Sequence, residues 1–144
     1  MEHKNLILGS LAAAGSALAG ALGGWDGALA LLLAMMAADC VTGWLLAAVW
    51  KKSNKSPSGA LDSRAGWKGL CRKGVALVVV WVGVMLDNTM GTAYIRTAVC
   101  LFFAGNEGLS LLENLGLMGV PCPKFLRDAL EALRKEGDES DGDS

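Results

Sequence analysis

ALALLLAMMAADCVTGWLLAAVW, residues 28–50, carries a single charged group, Asp39, in a run long enough to cross the hydrocarbon core of a bilayer as a helix. Upstream, residues 6–24 form a second run without charge, built largely from Gly, Ala and Ser. Between the two lies Gly24-Trp25-Asp26-Gly27, a tight turn with a tryptophan suited to the membrane interface. Two antiparallel spans joined by a short hairpin follow.

Downstream the character changes. Residues 51–73 hold Lys51, Lys52, Lys55, Arg64, Lys68, Arg72 and Lys73 against Asp62 alone, with Ser, Gly and Pro57 interspersed, and read as a solvent-exposed basic loop. Residues 74–90 are a third apolar run; Val78-Val79-Val80 is β-branched, but the flanking spans favour a membrane helix over a strand. Residues 97–120 are long enough for a fourth span, and Pro121 and Pro123 end it. From there to residue 135, Phe125, Leu126, Ala129, Leu130 and Leu133 fall on one face of an amphipathic helix placed at the membrane surface, so that 121–135 forms an interfacial element beyond a transmembrane domain of residues 1–120. The acidic tail, 136–144, lacks large apolar groups and is expected to be disordered. The fold class is an all-α integral membrane protein with about four transmembrane helices and a short C-terminal amphipathic helix.

Orientation follows from the distribution of Lys and Arg. Lys4, the seven cations of the basic loop and the four after the last span lie on one side, with Arg96 alone opposite. Under the positive-inside rule both termini and the loop of this multi-pass membrane protein are cytoplasmic. Ala17-Leu18-Ala19 also resembles a signal-peptide cleavage site, and cleavage there would leave three spans. An uncleaved anchor is preferred, since the apolar run continues through Ala21 and Leu22 and Glu2 offsets Lys4.

The overall net charge of −1 averages the basic loop against the acidic tail and says little about partners. Cys40, Cys71, Cys100 and Cys122 are widely spaced, and His3 is the only imidazole, so neither a metal site, a cofactor nor a catalytic nucleophile–base pair is expected. Without aromatic stacking residues or a recognition helix, the basic loop does not indicate nucleic acid. Lys51, Lys52, Lys55, Lys68, Arg72 and Lys73 are expected to set topology and contact anionic lipid.

Three features carry functional expectations. Ala12, Ser16, Gly20 and Gly24 recur every fourth residue in the first span, a small-residue face suited to association between subunits, to packing within one, or to neither. Asp39 lies at mid-span, where a charge costs about 2.5–3.5 kcal/mol on insertion scales; it is protonated, paired across helices, or turned to water, with Thr42 on the same face. In the fourth span Asn106, Glu107, Ser110, Glu113 and Asn114 fall within an arc of roughly 120° at about 100° per residue. That polar stripe suits a pore or a contact between polar helices; the alternative is a helix lying at the interface.

These residues sit in a recognisable frame: Asp39-Cys40-Val41-Thr42-Gly43 before the basic loop, Gly66-Trp67-Lys68-Gly69-Leu70 and Arg72-Lys73 entering the third span, Leu86-Asp87 near its end, and Asn106-Glu107-Gly108-Leu109-Ser110-Leu111-Leu112-Glu113-Asn114 with Gly119-Val120-Pro121-Cys122-Pro123 as its exit. The pattern resembles the toxin-secretion/phage-lysis holin family from Asp39 to about Leu133; the first span is only generically similar. The resemblance implies a phage-encoded homo-oligomer that accumulates in the bacterial inner membrane and opens timed lesions. These depolarise the cell and let an endolysin, or a toxin in some relatives, pass without a stable complex. Pore-lining or sealing roles for the fourth-span stripe, and threshold-setting by Asp39, are expectations on that basis. A small ion-coupled transporter and an antiholin-type regulator of a partner holin remain as alternatives.

Overall fold

The computed structural model describes residues 1–142, with side chains described to residue 139. Among these residues every regular element is helical: α1 (Glu2–Ala21), α2 (Gly27–Leu45) continued by a π-helical turn (Leu46–Trp50), α3 (Ser63–Met90), α4 (Ile95–Leu117) and α5 (Lys124–Gly142). Among the described residues three stretches are long and apolar enough to cross a membrane: Gly27–Trp50, Ser63–Met90 and Ile95–Leu117.

Local chemistry sets the ends. Asp26 caps α2 by accepting from the Leu29 N–H at 2.9 Å, and Asp62 caps α3 by accepting from the Arg64 N–H at 2.9 Å. Each satisfies one of the donors left unpaired at a helix start. α3 stops at Gly91, whose φ of 70° is left-handed and whose N–H returns to the Asp87 carbonyl. The π turn closes at Lys51, the one non-glycine residue of positive φ, 52°, among those described.

α4 is the hub, packing on α2, α3 and α5, with little direct contact between α2 and α3. The core joins Leu22, Leu29, Leu32 and Met36 to Ala76 and Val80 of α3 and to Cys100 and Ala104 of α4. On α3 the buried positions Ala76, Val80, Gly83 and Asp87 repeat at intervals of three and four, the narrow stripe of a helix meeting one partner.

Several boundaries differ from the sequence expectation. The basic loop ends at Asp62, not at 73, because Asp62 caps a helix that begins eleven residues before the apolar run; Lys68, Arg72 and Lys73 therefore belong to α3. α1 buries no side chain against its own bundle. Gly24 lies beyond α1 in the turn, at φ 92°, so the small-residue ladder on the helix consists of Ala12, Ser16 and Gly20. α5 continues past residue 135 through Gly142, over most of the stretch read as a disordered tail; residues 143–144 lie outside those described. Moreover, α5 lies along α4 with Leu130 buried against it and Leu133 partly covered, while Phe125, Leu126 and Ala129 at its start stay exposed.

Candidate functional site

Two polar clusters fasten the bundle, one toward each end of α4. The first is centred on Asp39, only 3% exposed. Lys73 Nζ donates to Asp39 Oδ2 at 2.7 Å and also to Glu107 Oε2, so one ammonium serves carboxylates from α2 and α4. Asn114 Nδ2 donates to Asp39 Oδ1 at 3.0 Å and to Thr42 Oγ1 at 3.1 Å, while the Thr42 hydroxyl donates to the Ala38 carbonyl at 2.7 Å. Ser110 is a further polar neighbour of Asp39. From the loop, Lys55 Nζ approaches Asp39 Oδ1 at 3.7 Å, and Asn54 donates to Glu113 Oε1 at 2.9 Å.

At about 1.5 Å per residue, Asp39 and Glu107 each lie roughly 18 Å from the ends of α2 and α4 that meet at the opposite cluster, well within span depth. Buried charges at that depth persist only when paired and hydrogen-bonded. The Lys73 ammonium, whose side chain is 13% exposed, provides that pairing for both carboxylates. The cluster borders an open cleft of about 1890 Å³ between α2, α3, α4, the 51–62 loop and α5, lined by Asp39, Lys73, Glu107, Ser110, Glu113 and Arg134 among others.

The second cluster is built on Arg96, 6% exposed. Its Nε donates to the Leu22 carbonyl at 2.8 Å, one terminal nitrogen to the Gly24 carbonyl at 2.9 Å, and the other to the Asp26 carboxylate. Asp87 completes it: its two oxygens accept from the Ile95 and Arg96 N–H groups at 3.1 and 2.9 Å and from the Thr92 hydroxyl at 2.6 Å, capping the start of α4 from the end of α3. Partial burial works against ionisation of Asp26, but the Leu29 N–H and the Arg96 guanidinium outweigh it and hold the carboxyl below the usual aspartate value.

Of the polar residues singled out in the sequence, Asp39, Thr42, Glu107, Ser110 and Asn114 come together. Glu113 faces the loop, and Asn106 is exposed on the side of α4 nearer α5, beside Lys135. Lys73, assigned there to topology and lipid contact, is instead the centre of the ion-pair cluster. Lys73 continues the buried Asp87, Gly83, Val80, Ala76 stripe one further step back along α3. Lys51, Lys52, Lys68 and Arg72 are exposed. Arg96, read as a stray outer charge, is a structural tie. All four cysteines are free thiols.

The bacteriophage holin family model matches residues 16–135. An uncharacterised protein of Clostridium perfringens (strain 13 / Type A) is 40% identical over 116 residues, covering 79% of this chain and 80% of its own length. An uncharacterised 14.9 kDa protein of the same species is 37% identical over 134 residues, 92% and 96% respectively. A probable holin of Bacillus phage phi105 is 35% identical over 112 residues, 77% of each chain. No solved structure matches.

Proposed function

Because the chain belongs to the bacteriophage holin family, we propose that it accumulates in the cytoplasmic membrane of a bacterium and, at a set time, assembles from many copies into lesions that collapse the membrane potential and pass an endolysin or a toxin. The observation that carries this reading is the Asp39–Lys73–Glu107 cluster, which holds three span-length helices together through charges that lipid does not tolerate. Such a cluster has two acceptable surroundings, a closed bundle in which the charges satisfy one another and an assembly in which they meet water. Exchange between the two is a population shift, and a timer requires one.

The remaining elements fit the same function. Val75, Val78, Trp81, Val82, Met85 and Leu86 are exposed along α3 and offer an apolar wall to lipid or to another copy. α1 is 20 residues long, about 30 Å, enough to reach across as a fourth span. With Gly9, Gly15 and Gly20 in open space, it presents its small residues to other copies. The N-terminus and the 51–62 loop lie on the cytoplasmic side in this reading, while α5 runs back along α4 and carries Gly137 to the level of Ala98, toward the opposite side; the protein acts without catalysis, leaving bond cleavage to the enzyme that it admits.

Induced expression of the chain alone, followed with a membrane-potential dye and with a separately supplied endolysin, tests the proposal. The expected result is an abrupt potential collapse followed by lysis only when the endolysin is present. Selective passage of small solutes along a gradient would overturn it in favour of a transporter. Absence of lesions together with delay of a partner holin's lysis would assign it a regulatory role instead.

A further inference from the structure

The exposed face of α5 conflicts with lipid. α5 runs antiparallel to α4 at backbone contact: a Cβ on Gly105 would stand 2.7 Å from the Leu130 carbonyl and 2.8 Å from the Arg134 nitrogen, one on Gly108 would stand 2.6 Å from Leu130 Cδ2, and one on Gly137 would stand 2.5 Å from the Ala98 carbonyl. Three glycines at matching levels make the interface close along its length, the usual means by which helices approach without side-chain obstruction. In this register α5, about 28 Å long, reaches from the level of Glu113 almost to the start of α4.

α4 cannot slide out of the span region to escape this. Arg96 ties one of its ends to the α1–α2 turn, and Glu107 and Asn114 tie the other half to Lys73 and Asp39. α5 therefore shares the depth of α2, α3 and α4. Yet Arg127, Asp128, Lys135, Asp138 and Glu139 are exposed on α5. The bundle is thus two-sided, with an apolar wall on α3 and, beyond the exposed Phe125 and Leu126 at its start, a charged wall on α5. Charges at that depth require water.

We propose that α5, still docked on α4, lines the water-filled lumen of the assembled lesion, with α3 turned outward to lipid. The inference rests on the lesion-forming reading and changes its geometry: the Glu107 side of the α4 stripe faces inward to Lys73, and the wetted surface is contributed by α5. At the Gly137 end Asp138 and Glu139 outnumber Lys135, so the lumen favours cations there.

Two measurements on reconstituted full-length protein test this. In a background with all four native cysteines replaced, Asn106→Cys and Lys135→Cys, whose parent residues line a small shared pocket between α4 and α5, are bridged by a short dimaleimide. If α5 stays docked, dextran release from vesicles remains within about twofold of the unbridged protein; tenfold or greater suppression by the bridge overturns the proposal. Separately, in the otherwise unaltered chain, Asp138→Lys with Glu139→Lys is expected to lower the potassium-to-chloride permeability ratio at least twofold, read as a reversal-potential shift in a tenfold KCl gradient. An unchanged reversal potential with normal conductance overturns it. If the parent chain itself releases no dextran and passes no current, the lesion-forming reading fails instead.

Discussion

Lys73 Nζ stands 2.7 Å from Asp39 Oδ2, joining two helices across 34 residues of sequence while the same ammonium holds Glu107 on a third. Removing one member of a buried charge set leaves the others uncompensated, whereas removing all of them together does not.

Lys73→Met strands two carboxylates, and a loss of about 3–5 kcal/mol is expected, seen as a lowered thermal midpoint in detergent and reduced accumulation in membranes. Adding Asp39→Asn and Glu107→Gln to the same chain should recover at least half of the lost midpoint. No recovery in the triple variant would show that Lys73 acts through something other than these carboxylates.

Glu107 and Glu113 lie on the same polar stripe, but Glu107 meets Lys73 while exposed Glu113 meets Asn54 in the loop. Glu107→Gln is expected to shift the onset of potential collapse at equal membrane abundance. Glu113→Gln should leave onset unchanged and alter stability by less than about 1 kcal/mol. Equal effects on timing would remove the distinction drawn between them.

Arg96→Lys keeps a positive charge but loses the fork that reaches Leu22, Gly24 and Asp26 together. A destabilisation of about 2–4 kcal/mol is expected from the carbonyls left without donors. Asp26 contributes to the same tie with a pKa held below its ordinary 3.8. The sign follows: a lowered folded-state pKa gives stability that is fully present above the unfolded value and is lost as the pH falls through the folded one. Melting curves at pH 6, 4 and 3 should show the parent chain losing more than Asp26→Asn between pH 4 and 3; parallel losses would contradict the assignment.

Gly105→Ala places a methyl 2.7 Å from the Leu130 carbonyl and should push α5 away from α4, at a cost of about 1–3 kcal/mol. Limited proteolysis in detergent should then cut within α5 at least tenfold faster than in the parent. Gly116→Ala, on the same helix with open space around it, is the matched control, expected to be neutral or stabilising by about 0.5–1 kcal/mol. Similar cleavage rates in the two variants would contradict a tight α4–α5 contact.

Much of the fold is legible because membrane-length apolar runs and their breakers are local properties. α2 is read almost to the residue, and Asp39, Glu107 and Asn114 stand out as polar groups where lipid does not accept them. Lys73 and Arg96 do not stand out, because cations at the ends of apolar runs are also what topology requires; only their distant partners distinguish a tie from a flank. The extent of α5 is hidden for a related reason. Its residues beyond 135 have the composition of a solvated tail, and what orders them is Gly137 meeting the backbone of Ala98 and Phe102, a contact between segments that no local pattern records. The early start of α3 was readable from Asp62-Ser63-Arg64, a capping signal overshadowed by the surrounding lysines.

The Arg96 tie joins residues made far apart in time. Leu22, Gly24 and Asp26 leave the ribosome some seventy residues ahead of Arg96. The guanidinium is thus the last part of the tie to be made, and all of its acceptors precede it in the chain. All three of its contacts lie after Ala19, so those acceptors stay on the chain whether the first helix is kept or trimmed at that point.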